Sequence, residues 1–288
     1  SGPATDEYMR LRETVLLSSL DIQPDVLITE LFPFGRRTLR HEFGALLRAN
    51  DAPVLASIRD ILAPPSKPTR AAWTDTVLGD HYAGVLVHSD PDIVPLSASW
   101  PVSDRLRPLL HYTGFVAPPA PTAGTSGHGE VIVSAGGGPV GAALVTAAKQ
   151  AAFMDPSRQW RCLVKDADPD NTPPNMCIEA PRADFRSLLM NAAASVSMCG
   201  YNTALDILQT GVPAVVVPFD AGGEVEQSLR AAALRNQVGL TVLPTANLSA
   251  AALITCLDTI GPRRDTIRQG MDGAMETVKF AEALVARA

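Results

Sequence analysis

The chain is poor in aromatic residues (5% of 288), in cysteine and in long apolar runs, and it has no excess of positive charge. Each shortage removes a class of function. With 24 Lys and Arg against 30 Asp and Glu, the formal charge of −6 repels a polyanion, so no nucleic-acid partner is expected and any membrane contact is at most peripheral. The four cysteines, Cys162, Cys177, Cys199 and Cys256, form no C-x-x-C pair; they give neither a zinc-ligand spacing nor a disulfide framework, and they fit a reducing cytoplasm. The five histidines, His41, His81, His88, His111 and His128, show no i,i+4 spacing, so no metal site is expected. The most apolar stretches, such as Pro213 to Phe219, fall far short of the ~18–20 residues that cross a bilayer. Ser1 to Asp6 lack an initiator Met, a basic start and an apolar core, and read as a cut edge rather than a signal peptide.

What remains is a globular composition, 46% hydrophobic, on a chain long enough for two cores. Short apolar runs alternate with helical patterns nearly throughout, the mark of βαβ units wound on parallel sheets, so the fold class is α/β. Strands are expected at Val26–Thr29, Val54–Ile58, Gly84–His88 and Leu110–Gly114, with helices near Tyr8–Leu20, Arg36–Arg48 and Ala71–Leu78. The Pro/Gly/Ser/Thr stretch 116–129 has no periodicity and reads as a linker. It separates a partial Rossmann-like domain over 1–115 from a complete one over 130–288, whose final helix is long enough to pack back on the first domain. The second domain reads as strands Val131–Ala135, Trp160–Lys165, Ala194–Met198, Ala214–Pro218 and Gly239–Val242, with helices between them.

After the first of those strands comes A-G-G-G-P-V-G. Gly136, Gly137 and Gly138 let backbone N–H groups approach an anion closely, and the following helix adds its partial positive charge, so a phosphate fits. Gly136-x-Gly138-x-x-Gly141 also satisfies the dinucleotide fingerprint, with Asp166 after the next strand as a ribose-binding acid, which keeps an NAD-dependent oxidoreductase open. A second strand, glycine turn and helix follow in S-M-C-G-Y-N-T-A-L-D-I-L-Q-T-G-V-P-A-V-V-V-P-F. Two such turns in one domain suit a diphosphate gripped between neighbouring loops, whereas a dinucleotide needs one.

From Val131 to about Pro244 the chain resembles the C-terminal domain of the peptidoglycan (lipid II-forming) N-acetylglucosaminyltransferase family, glycosyltransferase family 28, and of bacterial glycosyltransferases like it. The resemblance implies a GT-B fold and transfer of a sugar from a nucleoside diphosphate sugar, a UDP-sugar, to an acceptor hydroxyl, with inversion and without a metal or other cofactor. It implies that the turn at Gly200, Tyr201, Asn202 and Thr203 faces the donor phosphates, that Asp206 (Glu in the family) binds the ribose, and that Arg182 reads the uracil edge through its main chain. Glu226 and Gln227, in G-G-E-V-E-Q, stand as contacts to the donor sugar. The chain departs from the family at Met198, where Arg or Ser is usual, and at G-G-G-P, where G-G-S-x-G is usual. Without the resemblance, Thr203-x-x-Asp206 is a capping-box-like pattern in which Asp206 merely complements a helix end.

In the first half, Glu30, Arg59-Asp60 and His88-Ser89-Asp90 follow strands at the sheet edge where α/β folds bind ligands, so all are acceptor-side candidates, with Glu30, Arg59 and Asp60 foremost. The acceptor is a small molecule, a glycan or a lipid-linked molecule. Phe32, Phe34, Arg36, Arg37 and Arg40 suit a phosphorylated or lipid-linked acceptor, or else a solvated helix start over a core aromatic pair. A whole domain of this kind would need ~90–100 further residues upstream, and the catalytic base is expected there or at Glu30. Asp166-Ala167-Asp168 also matches the manganese-binding D-x-D of single-domain transferases. A sugar-nucleotide epimerase or hydrolase on the same fold, and a donor-binding module without catalysis, complete the alternatives.

Overall fold

The structure, a computed structural model, describes residues 6–135, 141–165, 171–265 and 270–287. The chain divides into two units: Ser1–Val116 with Asp272–Ala288, and Ala117–Met271.

The first unit has a parallel sheet in the order β1 (Leu27–Glu30), β2 (Val54–Arg59), β3 (Gly84–His88), β4 (Leu110–Tyr112). The connections carry α1 (Asp6–Ser18), α2 (Arg40–Ala49) and α3 (Pro68–His81). Its core is built from the apolar runs of β2 and β3, such as Val54, Ala56, Ile58, Val85 and Val87, covered by Phe32, Phe34, Leu78 and Trp100. The last helix, α9 (Gly273–Val285), belongs to this unit, where Phe280 stacks on His111 at 4.1 Å. The helix expected from Arg36 begins at Arg40, after a 3₁₀ turn over Arg37–Leu39. Arg36 sits in the left-handed region (φ 52°), which α-helix excludes.

The second unit is a six-stranded parallel sheet: β10 (Leu240–Val242), β9 (Ala214–Val216), β8 (Ala194–Ser197), β5 (Glu130–Ser134), β6 (Gln159–Leu163), β7 (Met176–Glu179). Its helices are α4 (Ala142–Met154), α5 (Phe185–Asn191), α6 (Tyr201–Thr210), α7 (Glu226–Leu234) and α8 (Ala250–Thr259). Buried on both faces, β5, β8 and β9 read as near-continuous apolar runs, as parallel strands do. Small residues of α4, Ala147, Ala148, Ala151 and Ala152, pack closely in this core beside Leu253 and Leu257 of α8. Carbonyls of Pro118, Pro119, Gly124 and Ser126 accept hydrogen bonds from Gln209, Arg186 and Asn191, which ties the Pro/Gly/Ser stretch to this unit.

Two elements lie outside the strands and helices read from the sequence. The strand β7 is a short edge strand behind a proline-rich turn, and α8 is apolar on almost every side, so neither shows a clear period. The N-terminus of α8 is nevertheless written in the chain: Ser249 accepts a hydrogen bond from the Ala252 N–H at 3.2 Å, an N-cap.

Candidate functional site

The strand order puts a topological switch between β5 and β8. From β5 the chain winds outward through β6 and β7, then returns to β8 on the other side and winds out through β9 and β10. At such a point the connections leaving two neighbouring strands diverge and open a crevice at their carboxyl ends, where open α/β sheets hold ligands. The two strands pair in register, Val131 with Ala194 through Ser134 with Ser197, so Ser134 and Ser197 end them at neighbouring points of the sheet edge. Gly136, Gly137 and Gly138 of the first turn, and Asp166 and Asp168, lie outside the described residues. Gly141 is described: a Cβ there would lie 2.5 Å from both the Cβ and the carbonyl oxygen of Ala135, so glycine at 141 lets α4 press against the end of β5.

Gly200 is different. It stands at the N-cap of α6 with φ −67° and ψ 158°, which any residue adopts, and a Cβ added there would meet only the Thr203 hydroxyl, 4.0 Å away. Among the described residues, neither backbone conformation nor crowding requires glycine here. The turn has an open face, in front of a helix start whose cap residue has no side chain to satisfy the first-turn N–H groups. Those N–H groups and the helix dipole favour an anion.

The open turn is held from behind by α7. The Gln227 side-chain oxygen accepts from the Cys199 N–H at 3.0 Å and the Phe219 N–H at 3.1 Å, joining the ends of the β8 and β9 connections. Arg230, one turn on and only 1% exposed, donates to the Cys199 carbonyl at 3.0 Å and to Glu226 at 2.7 Å, and its guanidinium lies over the Tyr201 ring. Both backbone polar groups of Cys199 are thus fixed by one helix. Arg230 and this use of Gln227 were missed by sequence reasoning; the Glu226-x-x-x-Arg230 spacing was the available signal.

Asp206 sits two turns into α6, on the side facing α5, and its Oδ1 lies 2.8 Å from Arg186 Nε. Gly200 caps the helix without a side-chain bond, so Asp206 takes no part in a capping box, and that alternative is set aside. Burial raises the Asp206 carboxyl above its ordinary range, with Arg186 acting in the opposite direction. Arg182 lies between β7 and α5. Its guanidinium grips Asp184 through two bonds of 2.8 Å, and its carbonyl accepts from the Phe185 N–H at 3.3 Å.

Residues 174–285 match the glycosyltransferase family 28 C-terminal domain. The match takes in the elements from β7 to α9. No curated protein sequence matches the chain. Among solved structures, the calicheamicin glycosyltransferase CalG4 is similar over 100% of this chain and 83% of its own length (TM-score 0.62, 16% identity). Acinetobacter baumannii MurG is similar over 100% and 78% (TM-score 0.61, 13% identity). The spinosyn rhamnosyltransferase SpnG, solved with thymidine diphosphate, is similar over 98% and 79% (TM-score 0.55, 19% identity). The fold is therefore GT-B, and by fold and domain the protein is a glycosyltransferase.

The acceptor-side candidates of this glycosyltransferase are dispersed. Glu30 is exposed and held by Arg36 at 2.5 Å. Asp60 is 1% exposed and accepts from the Ile61 N–H at 2.8 Å, so it fixes the turn after β2, while Arg59 is exposed at the end of that strand. Phe32 and Phe34 are core residues, and Arg40 is exposed. His88, an acceptor-side candidate in the run His88-Ser89-Asp90, is half-buried at the end of β3. It hydrogen-bonds the Ser57 hydroxyl through Nε2 and the Thr113 hydroxyl through Nδ1, each at 2.8 Å, and burial lowers its pKa. Among the described residues no group of His, Cys, Asp and Glu is arranged to hold a metal, and no helix is long and apolar enough to cross a membrane.

Proposed function

We propose that this protein transfers a sugar from a uridine or closely related nucleoside diphosphate to an acceptor hydroxyl, with inversion and without a metal, and that the donor lies across the β5/β8 switch point. The observation that carries the reading is the Gly200 turn, a glycine at a helix start that neither its backbone conformation nor any described neighbour requires. In the reaction the bond from the anomeric carbon to the β-phosphate oxygen breaks, the acceptor oxygen bonds to that carbon from the opposite face, and its proton passes to a base. The departing diphosphate gathers negative charge, which N–H groups fixed in advance stabilise without reorganisation. The α6 start supplies such groups, and the loop Gly136–Gly138 is assigned the same role from across the switch.

Asp206 is assigned to the ribose hydroxyls, with Arg186 holding the carboxylate in place before the nucleotide arrives. Arg182 is assigned to the base edge, read by its N–H and by the lone pair its carbonyl retains. The Gln227 oxygen is occupied by two backbone donors, so only its NH₂ is available to a sugar oxygen. The Glu226 carboxylate stays in reach of the sugar while anchored to Arg230. Glu30 is the candidate base. SpnG, on the same fold, carries thymidine diphosphate, which supports a pyrimidine nucleotide as the donor.

An NAD-dependent enzyme would share this strand order, so the test is direct. UDP or TDP raises the melting temperature and NAD does not. The nucleotide shift survives EDTA; its loss in EDTA with recovery on adding manganese moves the site to Asp166 and Asp168 instead.

A further inference from the structure

Among the described residues, most guanidiniums with side-chain partners have an acid or helix-end carbonyls. Arg12 meets Glu42, Arg161 meets Glu130 and Glu179, Arg230 meets Glu226, and Arg263 and Arg264 bind carbonyls at helix ends. Arg37 of the first unit has neither. One of its terminal nitrogens donates to the Phe34 carbonyl at 3.0 Å, its guanidinium lies 5.9 Å from the Trp100 ring centre, and its Nε is buried with no acceptor. Burial lowers its pKa, and so does a second cation, Arg70, on the first turn of α3. Among the described residues no carboxylate lies within ion-pairing distance of Arg37 or Arg70. The Trp100 face stabilises a cation but supplies no counter-charge.

These side chains come from three successive connections, Arg37 after β1, Arg70 after β2 and Trp100 after β3, the first two at the carboxyl edge of the sheet. Two like charges at the carboxyl ends of neighbouring strands, one of them partly desolvated against an aromatic face, are unfavourable until an anion joins them. A guanidinium fork matches phosphate oxygens, and a phosphomonoester brings up to two negative charges to two cations. We propose that Arg37, over Trp100, and Arg70 form a binding site for the phosphate group of a small phosphorylated molecule. If the transferase reading holds, that molecule is the acceptor. The recessed Arg37 and the overall charge of −6 favour a small ligand over an anionic membrane surface.

The experiment is calorimetry with phenyl phosphate on the whole chain and on Arg37→Gln and Arg70→Gln, with UDP titrated in parallel. Wild type binds phenyl phosphate, each variant weakens it by about tenfold or more, and UDP binding stays the same in all three. In low salt without ligand, Arg37→Gln melts no lower than wild type, because an uncompensated cation has gone. If Arg37→Gln fails to fold, Arg70→Gln, at an exposed position, decides alone. No binding by wild type, or equal binding by wild type and variants, overturns the site. Arginine-dependent retention on phosphatidylcholine vesicles containing phosphatidic acid, without binding of phenyl phosphate, overturns the small-molecule assignment. Arginine-dependent phenyl phosphate binding in a protein that ignores UDP leaves this site standing and removes the donor reading.

Discussion

The Asp206 carboxylate works against stability where it stands, and the proposed ribose contact would give that charge a use. Its folded carboxyl is raised above the ordinary value near 3.9 because burial outweighs the help from Arg186. A raised folded pKa means a contribution that is fully present below the unfolded value and is lost as pH rises through the folded one. At neutral pH the ionised Asp206 is therefore a cost to the empty protein. Asp206→Asn is expected to leave the ligand-free melting temperature unchanged or slightly raised, and to weaken UDP binding by about 1–3 kcal/mol. UDP affinity of the wild type should climb with pH across the raised carboxyl range, and that dependence should vanish in the variant, as calorimetry at several pH values will show. Gln227 allows a similar separation. Gln227→Ala leaves two backbone N–H groups without their acceptor and should destabilise by about 1–3 kcal/mol, whereas Gln227→Glu keeps an acceptor and should fold like wild type while losing the NH₂ offered to the sugar. Thermal melts and donor turnover of the two variants check this. At this scale the sequence was legible where a residue type is bound to a backbone need and silent where a contact is long-range. The Asp206–Arg186 and Arg230–Cys199 pairings join separate elements, and no local spacing announces them.

Among the elements, the clearest signals were the strands buried on both faces, β2, β3, β5 and β8, whose apolar runs sit between turn residues. Legibility failed where the period fails, at edge strand β7 and at all-apolar α8. The end of α6 was readable from Gly211, which occupies the left-handed region at φ 67° and lies so close to Arg264 that a Cβ would be 2.4 Å from its carbonyl oxygen. Arg263 strengthens the same corner by donating to the carbonyls of Leu189, Ala192 and Thr210, at the ends of α5 and α6. Gly211→Ala is expected to lower stability by more than about 1 kcal/mol, read by urea denaturation, without changing the intrinsic affinity of the folded protein for nucleotide. Ser249→Ala, at the α8 cap, should lose about 1 kcal/mol in the same assay.

At the level of the whole molecule, the α/β class and the β8–Gly200–α6 turn of the second unit were readable from pattern alone, while the strand order that places β8 beside β5 was not. Order is a property of winding, and the same alternation of strands and helices fits several windings. The GT-B assignment rests on fold and domain; the donor site rests on the claim that Gly200 is glycine for the sake of a ligand. Substituting Gly200 by Ala puts a methyl group into the space the diphosphate would occupy and meets, among the described residues, only the Thr203 hydroxyl at 4.0 Å, so the measurement is UDP calorimetry paired with a thermal melt of Gly200→Ala against wild type. The account predicts a variant at least as stable as the parent, by up to about 1 kcal/mol through the lost freedom of the unfolded chain, with nucleotide affinity reduced about tenfold or more. A variant that is destabilised yet binds UDP as the wild type does would contradict it, and would make the glycine a feature of the fold.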